Sequence, residues 1–439
     1  MFGGMPSYLI LTRTKTNLTK YLHRLLNFLQ RPASFVFILL TGFYLTLLMF
    51  GLTPWLALAG AIAFAFSSYN FIIIEAGHVT KTIAIGYMPP IIGGVYYAFR
   101  KNFLVGSAVM GLFLSIQLLI NHLQITYYTL LIILIFGIFE LVRVFRGAEY
   151  KPFMKALGML IIAALLAVGA NATNILTTYE YGKYSMRGES ELTHDKDNKT
   201  SGLDKDYATA WSYGIDETMT LLIPNFRGGS SHAELGTNSA VYETLRRQNV
   251  PNARRIVEAV PLYFGNQPFT SGPVYVGAVI VFLFVLGLFI VKGPVKWWLA
   301  SATVLSVMLA WGNNAMWLTG FFLDFFPGYN KFRTVSMILV MAQFTMPLLG
   351  FLAVREIWLK KIAVKDAVKY LSYALYITGG ISLVVGLFPG MMGAFSAPSD
   401  VQTGWPDWLL ESLREDRQNL LRQDAFRSFF FIAVTFLLG

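Results

Sequence analysis

Three ionisable side chains, Glu75, His78 and Lys81, follow one another three residues apart between two strongly apolar runs. If the preceding helix continues through them, that spacing puts all three on one face. An ionisable group at membrane depth is costly, roughly 2.5–3.5 kcal/mol at the bilayer centre, and tends to mark function. A lysine and a histidine beside Gly77 suit a phosphate or pyrophosphate head group. The same residues also read as a snorkelling lysine paired with Glu75, with His78 simply interfacial. The spacing alone does not choose.

A second group runs from Phe326 to Thr334 and interleaves Lys331 and Arg333 with aromatic residues just before another apolar run. Two cations at such a mouth fit an anionic lipid head group; equally, Asp324 could pair with them and make the loop purely structural. Asn121–Gln124, between two runs, reads as polar glue between helices. A long hydrophilic stretch holds Glu180, Arg187, Trp211 and Glu217 among aromatics, amides and glycines. These are the stacking faces and hydroxyl acceptors of a sugar-binding surface, although any small hydrophilic domain has a similar composition. The sequons at Asn17 and Asn198 are weak signals. There is no phosphate-binding glycine loop, dinucleotide fingerprint or HExxH, which argues against an ATP-driven pump. Cysteine is absent, which excludes disulfides, thiolate nucleophiles and Cys-bound metals. A divalent metal is compatible with the chain but not signalled by it.

The elements that must hold these residues are membrane helices. Of the 439 residues, 55% are hydrophobic and 13% charged. A soluble domain is about a quarter charged, so soluble and disordered classes are excluded. Apolar runs fall at 33–52, 55–74, 82–99, 103–120, 124–145, 154–173, 273–291, 297–312, 335–354 and 370–388, with a last one starting at Ser428. A helix of about 20 residues crosses the roughly 30 Å of hydrocarbon, and in lipid the backbone must bond to itself. The fold class predicted is an all-α polytopic integral membrane protein with about 10–11 transmembrane helices. The run at 297–312 is short enough to be tilted or re-entrant.

Charge placement sets orientation. Arg100 and Lys101, Arg143 to Lys155, Lys292 and Lys296, and Arg355 to Lys369 gather in short loops on one side. The positive-inside rule assigns that side to the cytoplasm, so the net charge of +11 is topogenic and nucleic acid is not an expected partner. The organisation expected is a tail with an interfacial helix (1–32), a first helical bundle (33–173), a large outer loop (174–272), a second bundle (273–388), a second outer loop (389–427) and the start of a cut span (428–439). In the second loop, the amphipathic Leu409–Leu421 stretch reads as lying in the membrane interface. Both ends look cut, as though the chain were an internal piece of a longer protein.

Several stretches, taken together and in order, carry a resemblance. They are Phe2 to Pro6, Glu75 to Lys81, Tyr184 to Gly188, Leu222 to Ser230 and Tyr329 to Arg333. In these the chain resembles the YfhO-type bacterial membrane proteins, especially versions from Bacteroidetes. The resemblance implies a fold similar to the GT-C glycosyltransferases, with the chain in the bacterial cytoplasmic membrane and its large loops periplasmic. It implies transfer of a sugar from a polyprenyl-phosphate carrier to a cell-envelope glycan or polymer, with membrane lipids around the protein; a single displacement would invert the anomeric carbon. His78, Lys81, Lys331 and Arg333 are then the lipid-phosphate ligands, and Glu180, Arg187, Trp211 and Glu217 the acceptor or sugar ligands. GT-C enzymes use an Asp or Glu of their first outer loop as base or acceptor-positioning group, and here only the tail of that loop is present. That acid is therefore expected upstream of Met1, with Glu75 and then Asp324 the best carboxylates inside the chain. A lipid-linked sugar flippase and a non-catalytic envelope assembly protein are the competing readings.

Overall fold

A computed structural model describes residues 17–189 and 193–439. The Phe2–Pro6 stretch and the rest of residues 1–16 lie outside the described residues; the second half of the 1–32 tail carries a short helix, Thr19–Leu26. The architecture among them is all-helical: two isolated β-bridges, Phe226 with Gly228 and Ala233 with Val260, are the extent of β pairing.

Among the described residues, five helices are long and apolar enough to cross a membrane: Phe103–Ile120, Leu123–Gly147, Tyr150–Ala170, Val335–Trp358 and Val364–Leu387. Two broken pairs raise the number to at most seven, if each pair counts as one span, which is fewer than the sequence suggests. The reason is local. Pro54–Ala65 and Ser68–Glu75 meet at a 48° bend, and Pro294–Ala310 and Gly312–Phe325 at 114°, while Ala33–Met49 and Ala278–Ile290 are apolar but shorter. The sharper bend is built at Gly312, whose φ of +52° suits glycine. The large hydrophilic segment fills the corner: the Tyr213 N–H donates to the Ala310 carbonyl (2.8 Å), and Ser212 Oγ accepts the Asn313 N–H (2.8 Å). The helix-end groups that a break would orphan are thereby satisfied. This corner is where the short 297–312 run ends.

Val79–Arg100 is buried along most of its length despite Pro89 and Pro90. Small residues allow its neighbours to come close. A Cβ at Gly42 would lie 2.0 Å from the Gly86 carbonyl oxygen, and one at Gly106 would lie 2.3 Å from the Ala98 nitrogen. Such backbone-to-backbone approach is how membrane helices gain packing without a hydrophobic driving force between them. At the basic end of the bundle, Glu140 is buried and takes Arg100 (2.8 Å) and Arg143 (2.7 Å). Arg355 donates there to the Phe50 carbonyl (2.7 Å).

At the opposite end the two hydrophilic segments fold together. Val241, Leu245, Val257, Val260 and Leu262 form a second core with Leu409, Leu410 and Leu413. The Leu409–Leu421 stretch is thus not an interfacial helix. It is the first part of one helix, Asp407–Leu438, which runs on through the terminal apolar residues. At 1.5 Å per residue its 32 residues reach about 48 Å. Arg417, fully buried in it, holds both oxygens of Asp400 at 2.8 Å and donates to the carbonyls of Pro261, Leu262 and Phe395.

Candidate functional site

The helix carrying Glu75 does not continue. Ser68–Glu75 ends, Gly77 turns the chain at φ +76°, and His78 stands immediately before a new helix, Val79–Arg100. Glu75, His78 and Lys81 therefore do not share a continuous helical face. Glu75 is exposed and its side chain makes no hydrogen bond or ion pair among the described residues. Lys81, in the first turn of the new helix, is buried and also unpaired among the described residues, so the proposed Glu75–Lys81 pair is absent.

The Phe326–Thr334 loop is clamped from two sides. Gln124, at the start of Leu123–Gly147, donates Nε2 to the Arg333 carbonyl (2.8 Å), and Tyr127 Oη donates to the Pro327 carbonyl (3.1 Å). From the hydrophilic segment, the Leu203 N–H donates to the Asn330 carbonyl (2.8 Å), while Lys331 Nζ donates to the Ser201 carbonyl. Arg187 donates to the Lys331 carbonyl. Arg333 reaches across to Tyr207 Oη (2.7 Å). Asp324 is not the partner of Lys331 or Arg333; it pairs with Lys205 at 3.0 Å.

Several cations converge as a result. Arg333 lies close enough to Lys81 for the two charges to repel, and Arg187 feels Arg333 in the same way. His78 is pushed below its ordinary value by partial burial and then by Lys81. His122 is pushed down to about 4, first by burial and then by Lys81, with His78 and Arg187 adding to the effect. The histidines are therefore neutral at pH 7, and the fixed charge comes from Lys81, Arg187 and Arg333. Burial also lowers Lys331, while Glu189 pulls it back up. Among the described residues no carboxylate forms an ion pair with Lys81, Arg187 or Arg333. A cavity of about 520 Å³ opens beside Lys331, lined by Lys183, Tyr184, Glu189 and Lys199.

The four lipid-phosphate candidates thus fall at one end of the bundle, with Lys331 facing the cavity. The sugar-binding candidates do not assemble as a set. Arg187 joins the cations instead. Glu180 is exposed at the end of Ala172–Gly182, and Trp211 packs its ring against Phe269 (5.2 Å). Glu217 is buried and accepts from the Gly214 N–H (3.0 Å), Tyr263 Oη (2.8 Å) and Gln267 Nε2 (3.2 Å), so its oxygens are engaged inside the fold. Burial raises its carboxyl. His122 joins the site although its tetrapeptide reads as glue; the available signal was a second histidine at the same end of neighbouring runs. Tyr207 and Gln124 gave no such signal. No group of three or more His, Asp or Glu suited to a metal occurs among the described residues.

Compared with known proteins, the chain matches no family model, no curated protein and no solved structure.

Proposed function

We propose that this chain is a membrane glycosyltransferase of GT-C type, resembling the YfhO-type proteins, that takes a sugar from a polyprenyl-phosphate carrier and passes it to a cell-envelope acceptor on the periplasmic face of the bacterial cytoplasmic membrane. The observation that carries the proposal is Lys81: buried, without an anionic partner among the described residues, and faced by Arg333. A buried cation unmatched by a carboxylate is costly, and an arriving phosphate supplies the missing charge. The same cations stabilise charge as it develops on the leaving phosphate oxygen. The start of Val79–Arg100 adds the positive end of a helix dipole. The apolar helices beside the site offer the polyprenyl chain a path in lipid.

One observation favours a second reading. The two broken helix pairs are the kind of interruption found at the substrate sites of transporters, which fits a flippase for lipid-linked sugars. One experiment separates the two. Polyprenyl-phosphate sugars extracted from host membranes are incubated with the purified protein and an envelope extract, and release of free polyprenyl phosphate is measured. Transfer releases it, and Lys81→Ala should slow the release by about 10²-fold, the usual cost of one electrostatic contact in catalysis. A protein that moves intact lipid-linked sugar across vesicles without releasing polyprenyl phosphate is the flippase.

A further inference from the structure

His122 sits in the turn between Phe103–Ile120 and Leu123–Gly147, immediately after Asn121 takes a left-handed φ of 59°. Its Nδ1 is buried with no hydrogen-bond partner. Positive or protonatable groups from separate elements face it: Lys81 in the first turn of Val79–Arg100, His78 just before that helix, and Arg187 from the segment after Ala172–Gly182. Neither carboxylate of the sequence reading is among the charged groups that act on it. Asp324 is held by Lys205, and Glu75 is exposed at the end of Ser68–Glu75, on the other side of the turn at Gly77.

We propose that His122 is the base of this site: it takes the acceptor's hydroxyl proton during transfer, and it takes up a proton whenever a lipid phosphate dianion occupies the cations. The proposal rests on the glycosyltransferase reading above. In the transfer step the acceptor oxygen bonds to the anomeric carbon, and the bond from that carbon to the phosphate oxygen breaks. Its electron pair leaves with the lipid phosphate, and the hydroxyl proton moves to the imidazole. The phosphate gains one negative charge and the ring one positive charge, so the site keeps its total charge and the two products attract. Burial and the facing cations keep the ring neutral at physiological pH and able to accept a proton. Burial is the larger cause that holds the proton off, and a phosphate among the cations offsets the further repulsion from Lys81 and Arg187, which couples proton uptake to the ligand.

The test uses farnesyl phosphate, a short isoprenoid phosphate that mimics the leaving group. The purified full chain in detergent is titrated by calorimetry at pH 6.5 in two buffers of different ionisation enthalpy, which reads the protons exchanged on binding. Wild type should take up protons on binding, His122→Gln should lose most of that uptake, and the control His232→Gln should keep it. In the wild type itself, ¹³C-histidine resonances should show His122 moving toward the imidazolium position on addition of ligand, so the test does not depend on the variant folding. Equal uptake in His122→Gln, or none in wild type, overturns the proposal while leaving the binding site standing. Failure of wild type to bind farnesyl phosphate overturns both the proposal and the reading beneath it. Inorganic phosphate run in parallel should give little binding; equal binding and uptake would overturn the lipid part.

Discussion

Gln124 and Arg333, 209 residues apart, are joined by a 2.8 Å hydrogen bond from the Gln124 amide to the Arg333 carbonyl. This bond ties the first turn of a long apolar helix to the loop that carries the site's cations. Gln124 also donates to Tyr128 Oη (2.8 Å), which fixes its rotamer. Polar glue is thus its role, but between helix and loop rather than helix and helix.

Gln124→Ala should therefore loosen the Arg333 backbone without unfolding the bundle. A buried hydrogen bond contributes about 0.5–1.5 kcal/mol net, so isoprenoid phosphate binding should weaken by about 2- to 10-fold. Calorimetry with farnesyl phosphate checks this, and unchanged affinity would show that the loop is held without Gln124.

Arg417→Ala strips the second core of its charged centre. Removing one partner of a buried pair typically costs about 3–5 kcal/mol, because Asp400 is left buried and uncompensated. Limited proteolysis should then cut the 240–262 and 395–417 segments at protease concentrations that spare the wild type. Arg417→Met with Asp400→Leu should recover much of the resistance, since an apolar pair avoids the stranded charge.

Gly86→Leu places a side chain where Ile38 Cγ2 lies 2.7 Å from a Cβ and the backbone of Ile38 and Leu39 lies at 3.2 Å. Overpacking of this kind usually costs about 1–3 kcal/mol or more. The expected outcome is loss of monodisperse protein after detergent extraction, while Gly158→Leu, which meets nothing within 4 Å, extracts normally.

Stability should fall as pH drops from about 6.5 to 4, in part because of His122. Its ordinary value is 6.5 and its folded value about 4, so across that window the unfolded chain binds the extra proton and the native state does not. This contribution is complete above the unfolded value, declines as pH falls through the window and is gone below the folded value. His122→Gln should flatten this part of the melting-temperature profile; a profile with the same slope would show that the ring is not held neutral.

The helical class and the cation-bearing stretches were legible because burial in lipid leaves long apolar runs and because charges near such runs are few. Other features had no such mark. A 3.6-residue apolar stripe looks the same facing a bilayer or a protein core, so Leu409–Leu421 gave no hint of Val241 and Leu245 packed against it. Partners separated by 119 positions, Asp324 and Lys205, leave no local pattern, and Lys331 was the nearer candidate in sequence. Gly77 could extend a helix or end one, and only the packed structure decides for the end.

The most direct test of the account is binding of farnesyl phosphate to the purified chain and to Lys81→Ala and Arg333→Ala. If these side chains hold the phosphate, each variant should bind at least about 10-fold more weakly, the effect of losing a charge-assisted hydrogen bond of about 1.5–3 kcal/mol, and raised salt should weaken the wild type as well. Equal affinity in all three proteins would contradict the account.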